Sequence, residues 1–170
     1  MSFFKGFQYA FCGVIHCIKN ERNMRFHTVA ALYVLVFARF FAFSREDFGL
    51  LMLTIGGVMA AEAVNTAIEE LCDKISPEYD PLIKHAKDAA AGAVLIIAIF
   101  AAAVGIILFG NSEGWHLLYH FYFTHPIHLC GIVLLTILSI IYIVLGPVGI
   151  RNSITKRKKK HHSEEKKNDQ

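Results

Sequence analysis

Residues 48–88 read FGLLMLTIGGVMAAEAVNTAIEELCDKISPEYDPLIKHAKD, an apolar run that passes directly into a row of acids and an amide. At about 100° per residue, Glu62, Asn65, Glu69 and Asp73 lie on one stripe of a helix, because offsets of three, seven and eleven return close to the starting direction. Glu62 lies roughly 10 Å deeper along such a helix than Glu69, inside the edge of a bilayer while Glu69 stands near water. An ionisable group at that depth is costly, and the cost argues for a function. Just before the stripe, Gly56, Gly57, Ala60 and Ala61 leave room for another backbone or a lipid chain.

Outward from this stretch, the apolar residues continue in long runs. They make up 55% of the 170 residues, and the mean hydropathy is +0.45, which identifies an all-α integral membrane protein. Phe4, Phe7, Phe11, Val14, Ile15 and Ile18 recur at helical spacing opposite Lys5, Gln8, His16 and Lys19. This is an N-terminal amphipathic helix lying on the membrane surface. Membrane spans are expected at about 28–43, 47–72, 87–109 and 127–145. A loop is expected over 73–86, where Pro77 and Pro81 stand, and an outer loop with Trp115, Tyr119 and Tyr122 as interfacial anchors. Gly146-Pro147 ends the fourth span. The chain thus divides into a membrane domain (1–110, surface helix and three spans), an outer loop with an additional span (111–150) and a basic disordered tail (151–170).

The net charge is only +3, but Lys and Arg gather before the first span, between the second and third, and after the fourth. The positive-inside bias then places both termini in the cytoplasm of a multi-pass protein. No nucleic-acid partner is expected. Cys12, Cys17, Cys72 and Cys130 form no CxxC pair and read as free thiols.

Glu21 and Glu69 are both expected at the cytoplasmic face, where two carboxylates can share Mg²⁺ with phosphate oxygens. Lys87 would serve the same phosphates as a point charge. Glu62 is placed to take the proton of a hydroxyl presented from within the lipid, and Asn65, one turn away, to orient it or the transferred group. This combination describes phosphoryl transfer from a nucleotide to a lipid alcohol, a reaction governed by positioning and charge neutralisation. No GxxxxGK[ST] loop is present. On spacing alone, the same cluster reads equally as a buried polar network joining helices. His116, His120, His125 and His128 in the outer loop lack the Cys or carboxylate pair that would complete a metal set. A transporter is disfavoured because the ionisable groups gather at one membrane face.

NERNMRFH, EAVNTAIEELCD and PLIKHAKDAAAGAVL resemble the signature segments of the prokaryotic diacylglycerol kinase family, and more closely its Gram-positive undecaprenol kinase branch. The similarity runs from about Phe4 to Phe109. It implies a homotrimer in the bacterial cell (inner) membrane, with a surface helix and three spans per subunit, that uses ATP and Mg²⁺ to phosphorylate a membrane lipid. In its terms Glu62 is the proton acceptor with Asn65 beside it, and Glu21 and Glu69 are metal and nucleotide ligands. Lys87 and Asp88 contact phosphate and nucleotide, Tyr9 falls at a nucleotide-contacting position, and Glu78, Tyr79 and Asp80 occupy the loop approaching the nucleotide. Arg25 and Asp73 match without an assigned role. The fourth span and basic tail depart from the pattern. Undecaprenol is the expected substrate, diacylglycerol the alternative, and a noncatalytic membrane adaptor the alternative of a different class.

Overall fold

The computed structural model describes residues 3–76 and 78–150, and residues 151–168 as helical backbone only. Among the described residues six helices follow in order: α1 (Phe3–Asn20), α2 (Arg22–Ala38), α3 (Arg45–Ile75), α4 (Pro81–Phe109), α5 (Ser112–Thr124) and α6 (Pro126–Asn168). There is no strand among the described residues. The expectation of a disordered tail falls on residues whose side chains lie outside the described set.

Local chemistry sets the helix ends. At the α2–α3 turn Ser44 Oγ accepts from the Asp47 N–H at 3.1 Å while Asp47 Oδ2 accepts from the Ser44 N–H at 3.0 Å, a reciprocal cap that starts α3 where the SRED turn was expected. Before α4, Asp80 Oδ1 accepts from the N–H groups of Leu82 (2.7 Å) and Ile83 (3.3 Å), and Pro81 occupies the first turn where its missing N–H costs nothing. The expected loop over 73–86 therefore shrinks to the few residues between Ile75 and Pro81. The expected outer loop likewise holds a helix, α5, begun by Asn111 accepting from the Glu113 N–H at 2.8 Å.

Among the described residues three helices are long and apolar enough to cross a membrane by length and composition: α3, α4 and the Pro126–Ile150 part of α6. The first expected span begins six residues earlier than its apolar run, at Arg22, because only Glu21 interrupts the backbone between α1 and α2. It ends at Ala38, since the chain turns there to bury Phe41. At about 1.5 Å per residue, α2's 17 residues span roughly 25 Å. It nevertheless runs alongside α3 and α4 over their apolar depth. Ala38 packs with Leu51 and Leu108 in the core, Val34 with Ile55 and Val104 against them, and His27 lines one cleft with Met59 and Ala101. α6 lies along α2, where the Tyr33 hydroxyl meets Thr136 Oγ1 at 3.0 Å.

Most large apolar side chains of α4 and α6, such as Leu95, Phe100, Ile106 and Val144, point outward, as lipid contact requires. Those of α1 do the same: Phe4, Phe7 and Phe11 are exposed and Cys17 is the buried residue of that helix. An aromatic cluster packs around Phe41, only 4% exposed, whose ring meets Phe109 edge-on at 4.7 Å and Trp115 at 5.4 Å. Trp115 Nε1 donates to the Phe109 carbonyl at 2.7 Å, satisfying an end of α4 that no helical N–H reaches.

Removing the Phe41 ring is therefore expected to cost about 3 kcal/mol, whereas Phe100→Ala on the lipid face should change little. Thermal unfolding of the detergent-solubilised protein checks the contrast, and equal losses in the two variants would contradict it.

Candidate functional site

The stripe on α3 folds as its spacing requires. Glu62 is 2% exposed, Thr66 2% and Asn65 6%, while Glu69 is half-buried and Asp73 exposed. Burial thus falls along the helix toward its C-terminal end. Asn65 Nδ2 donates to Glu69 Oε1 at 2.9 Å, and Thr66 Oγ1 donates back to the Glu62 carbonyl at 3.0 Å. Asn65 Oδ1 is buried with no hydrogen-bond partner among the described residues, an acceptor left open beside the Glu69 carboxylate.

Glu62 is covered by the corner between α1 and α2. Asn23 is its polar neighbour there, and Glu21 and Glu69 are the two carboxylates whose charges act on it. The three acids therefore share one neighbourhood although Glu21 comes from the α1–α2 junction. Along the side of Glu62 facing the membrane, an apolar cleft of about 230 Å³ runs between α2, α3 and α4. It begins at His27, Val58 and Met59, one turn from Glu62, and is walled farther on by small residues such as Ala30, Ala31 and Gly105.

A second cleft, of about 320 Å³, opens beyond the end of the stripe. Glu78, Tyr79, Asp80, Lys87 and Asp88 line it together with Asp73. Lys87 Nζ donates to Asp73 Oδ1 at 2.7 Å, which ties α4 to α3 and keeps a cation at the mouth. The carboxylate of Asp80 is engaged in capping α4. Tyr9 stands apart: it is 58% exposed on α1 and does not belong to this cleft's lining. The histidines of the outer segment form no metal set either. The His125 and His128 rings lie 5.7 Å apart against Phe121, and no group of three His, Cys, Asp or Glu among the described residues is placed to hold an ion.

Several participants were missed in the sequence. Asn23 follows Glu21 in the NERN segment, and a residue one helical turn before His27 on the face toward α3 was the signal for it. His16 of α1 pairs with Glu70 of α3, and both are about half exposed, so the pair adds little stability. Cys17 sits under α1 against Thr66. Burial pushes its thiol above the ordinary value and the negative charges of Glu70 and Glu21 push the same way, against the hydrogen bond with Thr66.

A family model described as prokaryotic diacylglycerol kinase matches residues 8–109, from α1 through the end of α4. The undecaprenol kinase of Bacillus subtilis is 40% identical over 107 residues, covering 63% of this chain and 87% of that protein. A diacylglycerol kinase of Synechocystis is 40% identical over 100 residues, 58% of this chain and 57% of that protein. The diacylglycerol kinase of Escherichia coli K12 is 36% identical over 95 residues, 56% of this chain and 78% of that protein. All the Glu21, Glu62, Asn65, Glu69 and Lys87 positions fall inside the matched segment, while α5 and α6 fall outside it.

A thiol held neutral and covered reacts slowly. At mildly alkaline pH, iodoacetamide is expected to modify exposed Cys12 well before Cys17. Peptide mass spectrometry reads the order, and equal rates would mean that α1 does not cover Thr66 and Glu62.

Proposed function

The chain belongs to the prokaryotic diacylglycerol kinase family, and on that premise we propose that it transfers the γ-phosphoryl group of ATP to the hydroxyl of undecaprenol, with diacylglycerol as the alternative acceptor. The observation that carries this reading is the burial of Glu62 on a stripe between two unlike spaces: an apolar cleft that begins one turn away at Val58 and Met59, and a polar cleft that begins at Asp73, about 16 Å further along α3. The head end of a lipid alcohol would enter from the first toward Glu62, and a nucleotide would lie in the second beside Lys87 and Asp88, its phosphates directed along the stripe. Identity to an undecaprenol kinase over most of that protein's length favours the polyisoprenoid alcohol.

In the proposed reaction Glu62 accepts the proton of the lipid hydroxyl as its oxygen attacks the γ-phosphorus. The bond from the γ-phosphorus to the bridging oxygen breaks, and ADP leaves with that oxygen. Asn65 orients Glu69 through its amide, and its open Oδ1 accepts from a donor brought by the substrates. Lys87 neutralises phosphate charge at the polar cleft, with Asp88, Glu78 and Tyr79 shaping its wall. Glu21 and Glu69, two carboxylates with the open Asn65 oxygen near by, offer the hard oxygen donors that Mg²⁺ takes, and they are the residues that would hold it. When bound, the ion supplies further charge neutralisation for the phosphates. Tyr9 would reach the nucleotide only from α1's exposed side. A homotrimer, with both termini in the cytoplasm and residues 111–150 as a segment added to the 1–110 kinase part, completes the proposal.

Labelled ATP supplied to the protein in vesicles containing either undecaprenol or diacylglycerol tests the acceptor. Phosphorylated undecaprenol is the expected main product, and no transfer to either lipid would remove the kinase reading. Glu62→Gln is expected to lower kcat by about 100-fold or more with Mg-ATP binding retained. Glu69→Gln should chiefly raise KM for Mg-ATP, by about tenfold or more. A noncatalytic adaptor would lose nothing in either variant.

A further inference from the structure

Arg25 is 6% exposed, and no carboxylate among the described residues pairs with it. A buried guanidinium without a counter-ion is costly unless other groups meet its N–H donors. Here two backbone carbonyls do so, and each lacks a helical donor. Nε donates to the Ile143 carbonyl at 3.2 Å. In a regular helix that carbonyl would accept from residue 147, four positions on, but residue 147 is proline and has no N–H. The helix breaks beside it: Gly146 has φ 64° and ψ 172° inside α6. Only glycine suits that position, since a Cβ would stand 2.9 Å from both the guanidinium carbon and one of its terminal nitrogens. The other arm of Arg25 donates to the Lys19 carbonyl at 3.0 Å. Lys19 lies in the last turn of α1, whose carbonyls lose their helical partners because Glu21 turns extended (φ −95°, ψ 125°).

Arg25 therefore joins three elements at one corner: the broken turn of α6, the end of α1 and the first turn of α2. Glu21 is the single residue between α1 and α2, and the Arg25 N–H itself donates to the Glu21 carbonyl at 3.2 Å. Met24, 1% exposed, and Cys17, 7% exposed, are packed at the same corner. We propose that the fourth span acts on the nucleotide site through Arg25, the Gly146-Pro147 break holding the guanidinium that fixes the α1–α2 corner and with it Glu21 opposite Glu69. Arg25 is a positioning residue in this scheme, and α6, which lies outside the matched family segment, becomes a working part of the site. The scheme rests on the kinase reading for its effect on nucleotide and on geometry alone for its effect on the corner.

Two substitutions release the clamp from opposite ends. Arg25→Lys keeps the charge but loses the fork that serves two acceptors at once. Pro147→Ala returns an N–H to the Ile143 carbonyl 118 residues from Arg25 in sequence. Each is expected to raise KM for Mg-ATP about tenfold, with kcat changed much less, and to speed alkylation of Cys17 by iodoacetamide relative to Cys12. The double variant should be no worse than the worse single one, because both remove the same link. Unchanged KM and unchanged Cys17 protection in Pro147→Ala, at wild-type helix content, would overturn the proposal, as would effects of the two substitutions that simply add. If Arg25→Lys does not accumulate in the membrane, Pro147→Ala decides alone. Should the wild type phosphorylate neither lipid while Cys17 still becomes reactive in Pro147→Ala, the kinase reading fails and the clamp stands.

Discussion

A carboxylate carried on a membrane helix, 2% exposed, has to be covered by something other than lipid, and the arrangement of the first three helices follows from that need. α3 by itself would present Glu62 to hydrocarbon. α2 runs beside it and brings Asn23, while the end of α1 folds over the same level and seals Thr66 with Cys17. The polar groups are thus gathered where helices meet, and the outward faces are left to leucine, isoleucine and phenylalanine.

This covering also produces a division of space suited to joining two substrates of unlike chemistry. On one side of Glu62 the small side chains of α2 and α4 leave an apolar cleft, and on the other the stripe runs out through Asn65 and Glu69 to a polar cleft closed by the Lys87–Asp73 pair. Both clefts are walled in part by α3 and α4. The α1–α2 corner is the less secured part, a single extended residue between two helices, and it is there that the fourth span reaches in with the carbonyl its proline has freed.

Much of this was legible along the chain. The amphipathic period of α1, the apolar runs and the acidic stripe are local patterns, and a period of 3.6 residues places Glu62, Asn65 and Glu69 on one face whatever surrounds them. Helix boundaries were less legible, because caps decide them. Asp80, which the resemblance places in the loop approaching the nucleotide, lines the polar cleft, and one oxygen of its carboxylate also caps the first turn of α4. A side-chain cap of the same kind begins α5 inside the expected outer loop. Tyr9, which the resemblance places at a nucleotide-contacting position, stands exposed on α1 and outside the lining of the polar cleft.

The sequence by itself determined the all-helical membrane class and the shared face of Glu62, Asn65 and Glu69, because these depend only on apolar run length and helical period. Tertiary structure alone decided that Glu21 stands with Glu62 and Glu69, that Asn65 keeps an unmet acceptor, and that Arg25 is held by a carbonyl far along the chain. The physical reason is that these depend on which unsatisfied backbone and side-chain groups meet across helices, and a proline's missing hydrogen bond names no partner until the fold brings one within 3.2 Å.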